Sequence, residues 1–111
     1  PTLTTRERVT LQTKGANCQT CHGVINPLGF ALERFDAIGK LRDADTKNPL
    51  DLSGEYLTRS GERKAFAGPV ELAKFLADSP EAHEAFAEQL FHHLIQQPVR
   101  AYGPKREEEL R

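Results

Sequence analysis

The sequence contains no methionine, no tryptophan and only two cysteines among its 111 residues. Hydrophobic residues make up 38% of the chain. Even with glycine counted, the apolar fraction stays slightly below that of an average globular domain. We therefore expect one domain with a modest core, which a non-protein group could complete. The two cysteines, Cys18 and Cys21, are too close in the chain to link distant segments, as the disulfide framework of a small secreted protein does.

The chain also lacks an excess of charge of one sign and a long apolar run. With 15 Lys and Arg against 16 Asp and Glu, its net charge is −1. This balance argues against a nucleic-acid-binding surface, which needs concentrated lysine and arginine. No apolar run approaches the roughly 20 residues that cross a bilayer, so no membrane span is predicted. The sequence begins at Pro1 without an initiator methionine or a signal segment, which favours a fragment of a longer protein.

Apolar periodicity predicts a mostly α chain with a long polar loop or a short β-ribbon in its middle. The predicted helices are residues 6–13, one or two turns within 16–23, residues 30–38, 69–77 and about 80–97, with a tail at 105–111 that is either frayed or a short helix. The ribbon would pair Leu50–Ser53 with Ala65–Phe66. This arrangement predicts a small helical domain.

Residues that favour helix ends define these boundaries. Thr4 or Thr5 is expected to cap the first helix, and Gly15 to end it. A turn at Asn26–Gly29 would separate the second and third helices, and Gly39 would end the third. Ser79, followed by a proline, is expected to begin the last long helix.

Cys18-Gln19-Thr20-Cys21-His22 forms a C-x-x-C-H motif, which is typical of c-type haem attachment. Two thiols on one helical turn can each add to a vinyl group on the same edge of a porphyrin. The adjacent imidazole is then carried under the ring, where it can bind the iron axially. The motif therefore predicts covalently bound haem c with His22 as the proximal iron ligand.

Three other interpretations of the motif are open. A C-x-x-C redox pair is expected beside a βαβ unit, whereas helices flank this motif. A structural zinc site would need two further ligands, and the remaining thiol or imidazole donors are His83, His92 and His93. The third interpretation is a chance occurrence of this spacing.

The segment from Cys18 to Gly39, with later pieces at Leu52–Gly54, Phe66–Leu72 and Phe86–Gln97, resembles the planctomycete-type cytochrome c domains of large multidomain bacterial proteins. The resemblance implies a class I cytochrome c-like helical fold in an extracytoplasmic protein. It also implies that the carbonyl of Pro27 accepts a hydrogen bond from the ring of His22, which would raise the basicity of this ligand. The sequence departs from the family at Asn26, where an aspartate usually precedes the proline.

The absence of methionine excludes the His/Met axial pair of ordinary cytochromes c. On a helical wheel of the last long helix, His83 lies near the centre of the apolar face and His93 near its edge. His92 points nearly opposite and is expected to face solvent. The candidates for the distal ligand are therefore His93 and His83, with a slight preference for His93 because bulky residues flank it.

We thus expect residues 1–111 to form a single haem c domain, a fragment of a larger protein, that transfers electrons and is more an electron carrier than an enzyme. One alternative is a five-coordinate haem that binds small ligands or reacts with peroxide. A second alternative is a structural zinc or interaction module. The expected partners are a redox protein or other domains of the parent chain. Because haem c is attached outside the cytoplasm, we expect a periplasmic or otherwise extracytoplasmic location.

Overall fold

Helices dominate the structure, a computed structural model that describes residues 3–42 and 49–109. In chain order the elements are α1 (Thr5–Gln12), α2 (Ala16–Phe30), β1 (Ser53–Leu57), β2 (Arg63–Ala67), α3 (Pro69–Asp78), α4 (Pro80–Ile95), a 3₁₀ helix η1 (Val99–Tyr102) and α5 (Pro104–Glu109). The predicted mostly α class with a short central β-ribbon is confirmed. The chain divides into two compact units, Pro1–Ala73 and Lys74–Arg111.

Helix α1 begins at the predicted cap. The hydroxyl of Thr4 accepts a hydrogen bond from the N–H of Glu7, and the Glu7 carboxylate accepts one from the N–H of Thr4, a reciprocal capping box. The prediction that Gly15 ends this helix is wrong. Thr13 is the C-cap, and both its N–H and its hydroxyl donate to the carbonyl of Val9. Gly15 instead precedes α2 as its N-cap, with an ordinary φ of −61°.

Helix α2 is continuous through the predicted turn at Asn26–Gly29, so that turn is wrong. Pro27 lies inside the helix, where it has no N–H to donate to the carbonyl of Gly23. The expected turn relied on an asparagine side chain bonding to its own backbone. In the structure the Asn26 side chain bonds to His22 and Thr13 instead, which leaves the local turn without that support.

The predicted helix over residues 30–38 is also wrong beyond Phe30. A turn follows α2, and Phe35 then pairs with Leu41 in an isolated antiparallel bridge. The Asp36 carboxylate accepts hydrogen bonds from the N–H groups of Ile38 and Lys40, which stabilises a loop in place of a helical turn. Gly39, with φ of 80°, therefore lies in this loop and does not end a helix.

Strands β1 and β2 form an antiparallel ribbon whose register runs from Ser53 opposite Ala67 to Leu57 opposite Arg63. The first strand was predicted at Leu50–Ser53 but begins only at Ser53. The reason is local, because the Asp51 carboxylate accepts hydrogen bonds from both the N–H and the hydroxyl of Ser53. These bonds form a turn where the sequence pattern indicated a strand.

The ribbon packs against α2 at Gly54. A Cβ at this position would collide with the ring of Phe66 and would lie 2.5 Å from the carbonyl oxygen of Pro27. Arg6 adds a second link, because its guanidinium lies 4.4 Å from the centre of the Phe30 ring and donates to the carbonyl oxygens of Asp51 and Ser53. The first unit is thus held together by α1, α2 and the ribbon.

In the second unit, α4 begins as predicted, with Ser79 as N-cap accepting from the N–H of Ala82. It ends two residues before the predicted Gln97, because Gln96 adopts a left-handed conformation with φ of 58°. The rings of Phe91 and Tyr102 are nearly perpendicular, with their centres 5.5 Å apart, and this edge-to-face contact ties α4 to η1. The charged tail forms the short helix α5 over the residues described there.

The core is small, as the composition predicts. Among the described residues, the buried hydrophobic side chains are Ala31, Phe66, Leu72 and Val99, and no large side chain is fully buried. Many apolar side chains are exposed instead. Phe86 and Leu94, on one stripe of α4, are 70% and 68% exposed.

Candidate haem site

Helix α2 brings the three residues of the C-x-x-C-H motif onto one face. Cys21 and His22 follow Cys18 by three and four positions, which in an α-helix places all three side chains on the same face. Both cysteines are free thiols exposed to solvent, and His22 is half-buried. The sequence prediction that these residues share one helical segment is therefore correct in its geometry.

A chain of three hydrogen bonds fixes the ring of His22. Its Nδ1 lies 2.9 Å from Oδ1 of Asn26, one helical turn further along α2. Nδ2 of Asn26 donates to the hydroxyl of Thr13 at 3.0 Å. That hydroxyl donates in turn to the carbonyl of Val9 in α1 at 2.8 Å. The orientation of His22 is thus connected to the backbone of the neighbouring helix.

Gln19, one of the two residues between the cysteines, makes a second link to the end of α1. Its side-chain amide donates to the carbonyl oxygen of Thr13 at 2.6 Å. Thr13, the C-cap of α1, is therefore bound to α2 through both its carbonyl and its hydroxyl. This double attachment orients the half of α2 that carries the motif.

Pro27 has a different position from the one that the resemblance implies. Its carbonyl oxygen lies close to Gly54 of the ribbon. The atom bonded to Nδ1 of His22 is Oδ1 of Asn26, where the resemblance implies the Pro27 carbonyl. Pro27 therefore contributes to the packing between α2 and β1, and its predicted bond to the histidine is not formed in this structure.

Apolar side chains lie beside the motif. Ile25 follows Cys21 and His22 by four and three positions on the same helical face, and Val24 follows Cys21 by three. Both are about half exposed. A large apolar ring attached at the cysteines would cover this surface. Two free thiols, an imidazole with its Nδ1 already bonded and neighbouring apolar side chains together fit the demands of a c-type haem.

The histidines of the second unit are all exposed. His83 lies in the first turn of α4. His92 and His93 line a shallow pocket of about 270 Å³ together with Gln89 and Gln96. Because His22 belongs to the first unit and His83 and His93 to the second, the choice between these distal candidates stays a prediction.

Within residues 3–42 and 49–109, no three histidine, cysteine, aspartate or glutamate side chains are grouped so that they could hold a metal ion. A closed structural zinc site needs four such ligands, and the thiols and the further histidines named for it belong to different units. Over the same part of the chain, none of the helices is long and apolar enough to cross a membrane.

The sequence interpretation did not identify Asn26 and Thr13 as parts of this site. The sequence does point to Asn26, because this residue follows His22 by four positions and stands where the family that the chain resembles usually has an aspartate. Thr13 gave no comparable signal, because its contact with Asn26 depends on how α1 packs against α2.

Residues 1–45 match the model of a family described as PSCyt3, a protein of unknown function (DUF1588). It is a planctomycete cytochrome c-type domain family. The matched segment contains α1 and α2, and with them the C-x-x-C-H motif and the hydrogen bonds around His22. Searches among curated proteins and among solved structures found no match to the chain.

Proposed function

We propose that the chain is an electron-transfer domain that binds haem c covalently. Thioether bonds at Cys18 and Cys21 would hold the haem, and Nε2 of His22 would bind its iron as the proximal ligand. The observation that carries this proposal is the common face of α2 on which two exposed thiols stand beside a histidine with its Nδ1 already hydrogen-bonded. The partial match to a cytochrome c-type family supports it.

The bound haem would supply reversible one-electron chemistry at its iron. The chain's own residues would attach, orient and shelter it. Asn26 holds the His22 ring in one orientation, and the exposed apolar side chains of Val24 and Ile25 offer surface for the ring to cover. The proposed electron transfer makes or breaks no bond in a substrate, so the domain would act as an electron carrier.

On the distal side, we propose His93, or else His83, as the sixth ligand. A methionine ligand is excluded by the composition, and both histidines are exposed, so neither needs to leave a packed core in order to bind iron. If neither binds, the five-coordinate alternative applies, in which an open distal side accepts small ligands or peroxide.

We further propose that residues 1–111 act as one haem c domain of a larger protein located in the periplasm or elsewhere outside the cytoplasm. There the covalent attachment of haem takes place. Its electron partners would be a separate redox protein or other domains of the parent chain. Recovery of covalently attached haem on chain that never left the cytoplasm would contradict this location.

Absorption spectra of the oxidised and reduced chain, combined with metal analysis, test the proposed function. A six-coordinate low-spin spectrum with one iron per chain is the expected result. A high-spin ferric spectrum with rapid cyanide binding would contradict six-coordinate iron and support the five-coordinate alternative. Zinc without a Soret band would reject haem binding and favour the structural alternative.

A further inference from the structure

We propose that Asn26 is a positioning residue that fixes the proton and the orientation of the His22 ring, and that Thr13 in turn fixes the side chain of Asn26. This inference deepens the proposed function and rests on it for its effect on haem. Its structural part, the hydrogen-bonded chain from α1 to His22, stands on the geometry of the described residues alone.

The hydrogen bonds from His22 to α1 can run in only one direction of donation, because each group in them has a fixed donor or acceptor role towards each neighbour. The hydroxyl of Thr13 has a single proton, which it donates to the carbonyl of Val9 at 2.8 Å. Towards Asn26 this hydroxyl can therefore act only as an acceptor. The group that faces it at 3.0 Å must then be the NH₂ of Asn26, which settles which end of the amide is nitrogen.

The orientation of Asn26 decides the state of His22. With its NH₂ directed at Thr13, Asn26 presents its carbonyl oxygen to Nδ1 of His22 at 2.9 Å. A carbonyl oxygen only accepts, so Nδ1 carries the proton. In a neutral imidazole the other nitrogen, Nε2, then keeps its lone pair. This is the form in which His22 binds a metal ion.

The chemical nature of the acceptor has a second consequence. A carboxylate at Nδ1 draws the proton more strongly than an amide does, and so makes the histidine a stronger electron donor to its metal. A stronger donor favours ferric over ferrous iron. The neutral amide of Asn26 therefore holds the midpoint potential higher than an aspartate at the same position would.

The test compares five variants of the full haem-loaded chain. Asn26→Asp keeps an acceptor and adds a charge, while Asn26→Leu removes the acceptor. Asn17→Asp is the matched charge control, since Asn17 is exposed at the start of the same helix. Thr13→Val removes the hydroxyl, whereas Thr13→Ser keeps it.

The two measurements are the midpoint potential and the exchange rate of the Nδ1 proton of His22 in the reduced protein, followed by nuclear magnetic resonance. We expect Asn26→Asp to lower the potential clearly more than Asn17→Asp does. Asn26→Leu and Thr13→Val should exchange the proton about fivefold faster, the factor expected for one lost hydrogen bond, and Thr13→Ser should restore the slow rate. Equal shifts in both aspartate variants, or an unchanged rate in Asn26→Leu, would overturn the inference.

A measurement on the full chain without haem separates this inference from the proposed function. At alkaline pH, where imidazole is neutral, nitrogen chemical shifts report which ring nitrogen of His22 carries the proton. The single proton is expected on Nδ1 in the unmodified chain and divided between the Nδ1–H and Nε2–H tautomers in Asn26→Leu. If the chain takes up no haem but shows this difference, the electron-transfer proposal fails and the role of Asn26 stands. If the chain binds haem and the Asn26 variants behave like the unmodified protein in both forms, the role of Asn26 fails alone.

Discussion

The imidazole of His22 connects the attachment motif with the rest of the first unit. Through Asn26 and Thr13 it reaches the last turn of α1, and through α2 it is next to both cysteines. A ligand held from two sides loses little rotational freedom when it binds iron, which reduces the entropic cost of ligation. At the scale of single residues, His22 is therefore already oriented for the proposed ligation, and an experiment on His93 and His83 decides the proposed distal ligand.

That decision comes from comparing His93→Ala with His83→Ala in the haem-loaded protein. If one histidine is the sixth ligand, the variant that lacks it should change from a low-spin to a high-spin ferric spectrum, while the other keeps the spectrum of the unmodified protein. The midpoint potential of the unmodified protein should be lower than that of a His/Met cytochrome c, because a second imidazole favours ferric iron more than a thioether does. His92→Ala serves as the control on the same helix. A low-spin spectrum in all three variants would contradict the assignment.

The common helical face of Cys18, Cys21 and His22 could be predicted from the sequence because C-x-x-C-H is contiguous, and a single helical turn suffices to bring these residues together. The hydrogen-bond partner of His22 could not. Asn26 lies one turn from His22 only because α2 continues through Pro27, where the residues predict a turn. The contact of Asn26 with Thr13 depends on the packing of α1 on α2, which local patterns do not contain.

Among the elements, the ribbon depends on close packing against α2 at Gly54. Gly54→Ala should lower the free energy of unfolding by about 1–3 kcal/mol, the usual cost of overpacking, because a methyl group would meet the Phe66 ring and the Pro27 carbonyl. Denaturant unfolding followed by circular dichroism measures the change.

Gly29→Ala is the matched control, since a methyl group there would meet no atom within 4 Å and the residue is helical. It should leave stability unchanged or raise it by up to about 1 kcal/mol, the helix propensity difference between glycine and alanine. Equal destabilisation by both substitutions would show that the ribbon does not pack as the structure has it.

The turn before β1 should make stability depend on pH. Hydrogen bonds from the hydroxyl and N–H of Ser53, together with the Arg6 guanidinium, hold the pKa of Asp51 below its usual value. Because the carboxyl has a lower pKa in the folded than in the unfolded chain, its contribution is complete above the usual aspartate pKa of about 3.9. This contribution disappears as the pH falls through the folded-state pKa.

Asp51→Asn should therefore destabilise the protein near neutral pH and do so by less at a pH of about 2, because the stabilising carboxylate becomes protonated as the pH falls towards and through its lowered folded-state pKa. The loss should stay under about 1 kcal/mol, because the side chain is 58% exposed and solvent screens its charge. Thermal unfolding at both pH values measures it, and Ser53→Ala should give part of the same effect. A loss of the same size at both pH values would be inconsistent with a stabilising ionised carboxylate.

Elements with strong local signals could be predicted well, and those decided by side-chain competition could not. Thr4 and Ser79 each accept a backbone N–H within their own first turn, so the starts of α1 and α4 follow from the sequence. The loop after α2 was missed because its apolar spacing suits a helix, whereas the Asp36 carboxylate bonds to two backbone N–H groups outside any helix. Apolar periodicity does not report such competition.

At the scale of the whole molecule, the described residues bury little. No large side chain among them is fully buried, while apolar residues such as Ile25 and Phe86 remain exposed. A covalently held haem would add apolar area that the chain alone lacks. The composition predicts a modest core, and the structure exposes apolar side chains. Both lead to the expectation that a bound haem would complete the core.

The chain without haem should accordingly be less stable than the loaded chain. We expect a difference of at least about 3 kcal/mol, comparable with burying one or two large apolar side chains. Denaturant unfolding of the two forms by circular dichroism measures it. Equal stability would mean that the haem lies outside the core, in conflict with the proposed role of the exposed apolar surface.

The most direct test of haem attachment is acid-acetone extraction of the chain after export through a host's haem c maturation pathway, followed by mass spectrometry of the protein. We predict that haem stays with the polypeptide, adds the mass of one haem per chain and is found on the peptide that contains Cys18 and Cys21. A Cys18→Ala/Cys21→Ala variant should release any haem into the solvent. Extraction of all haem from the unmodified chain, or retention by the double variant, would contradict covalent attachment at these cysteines.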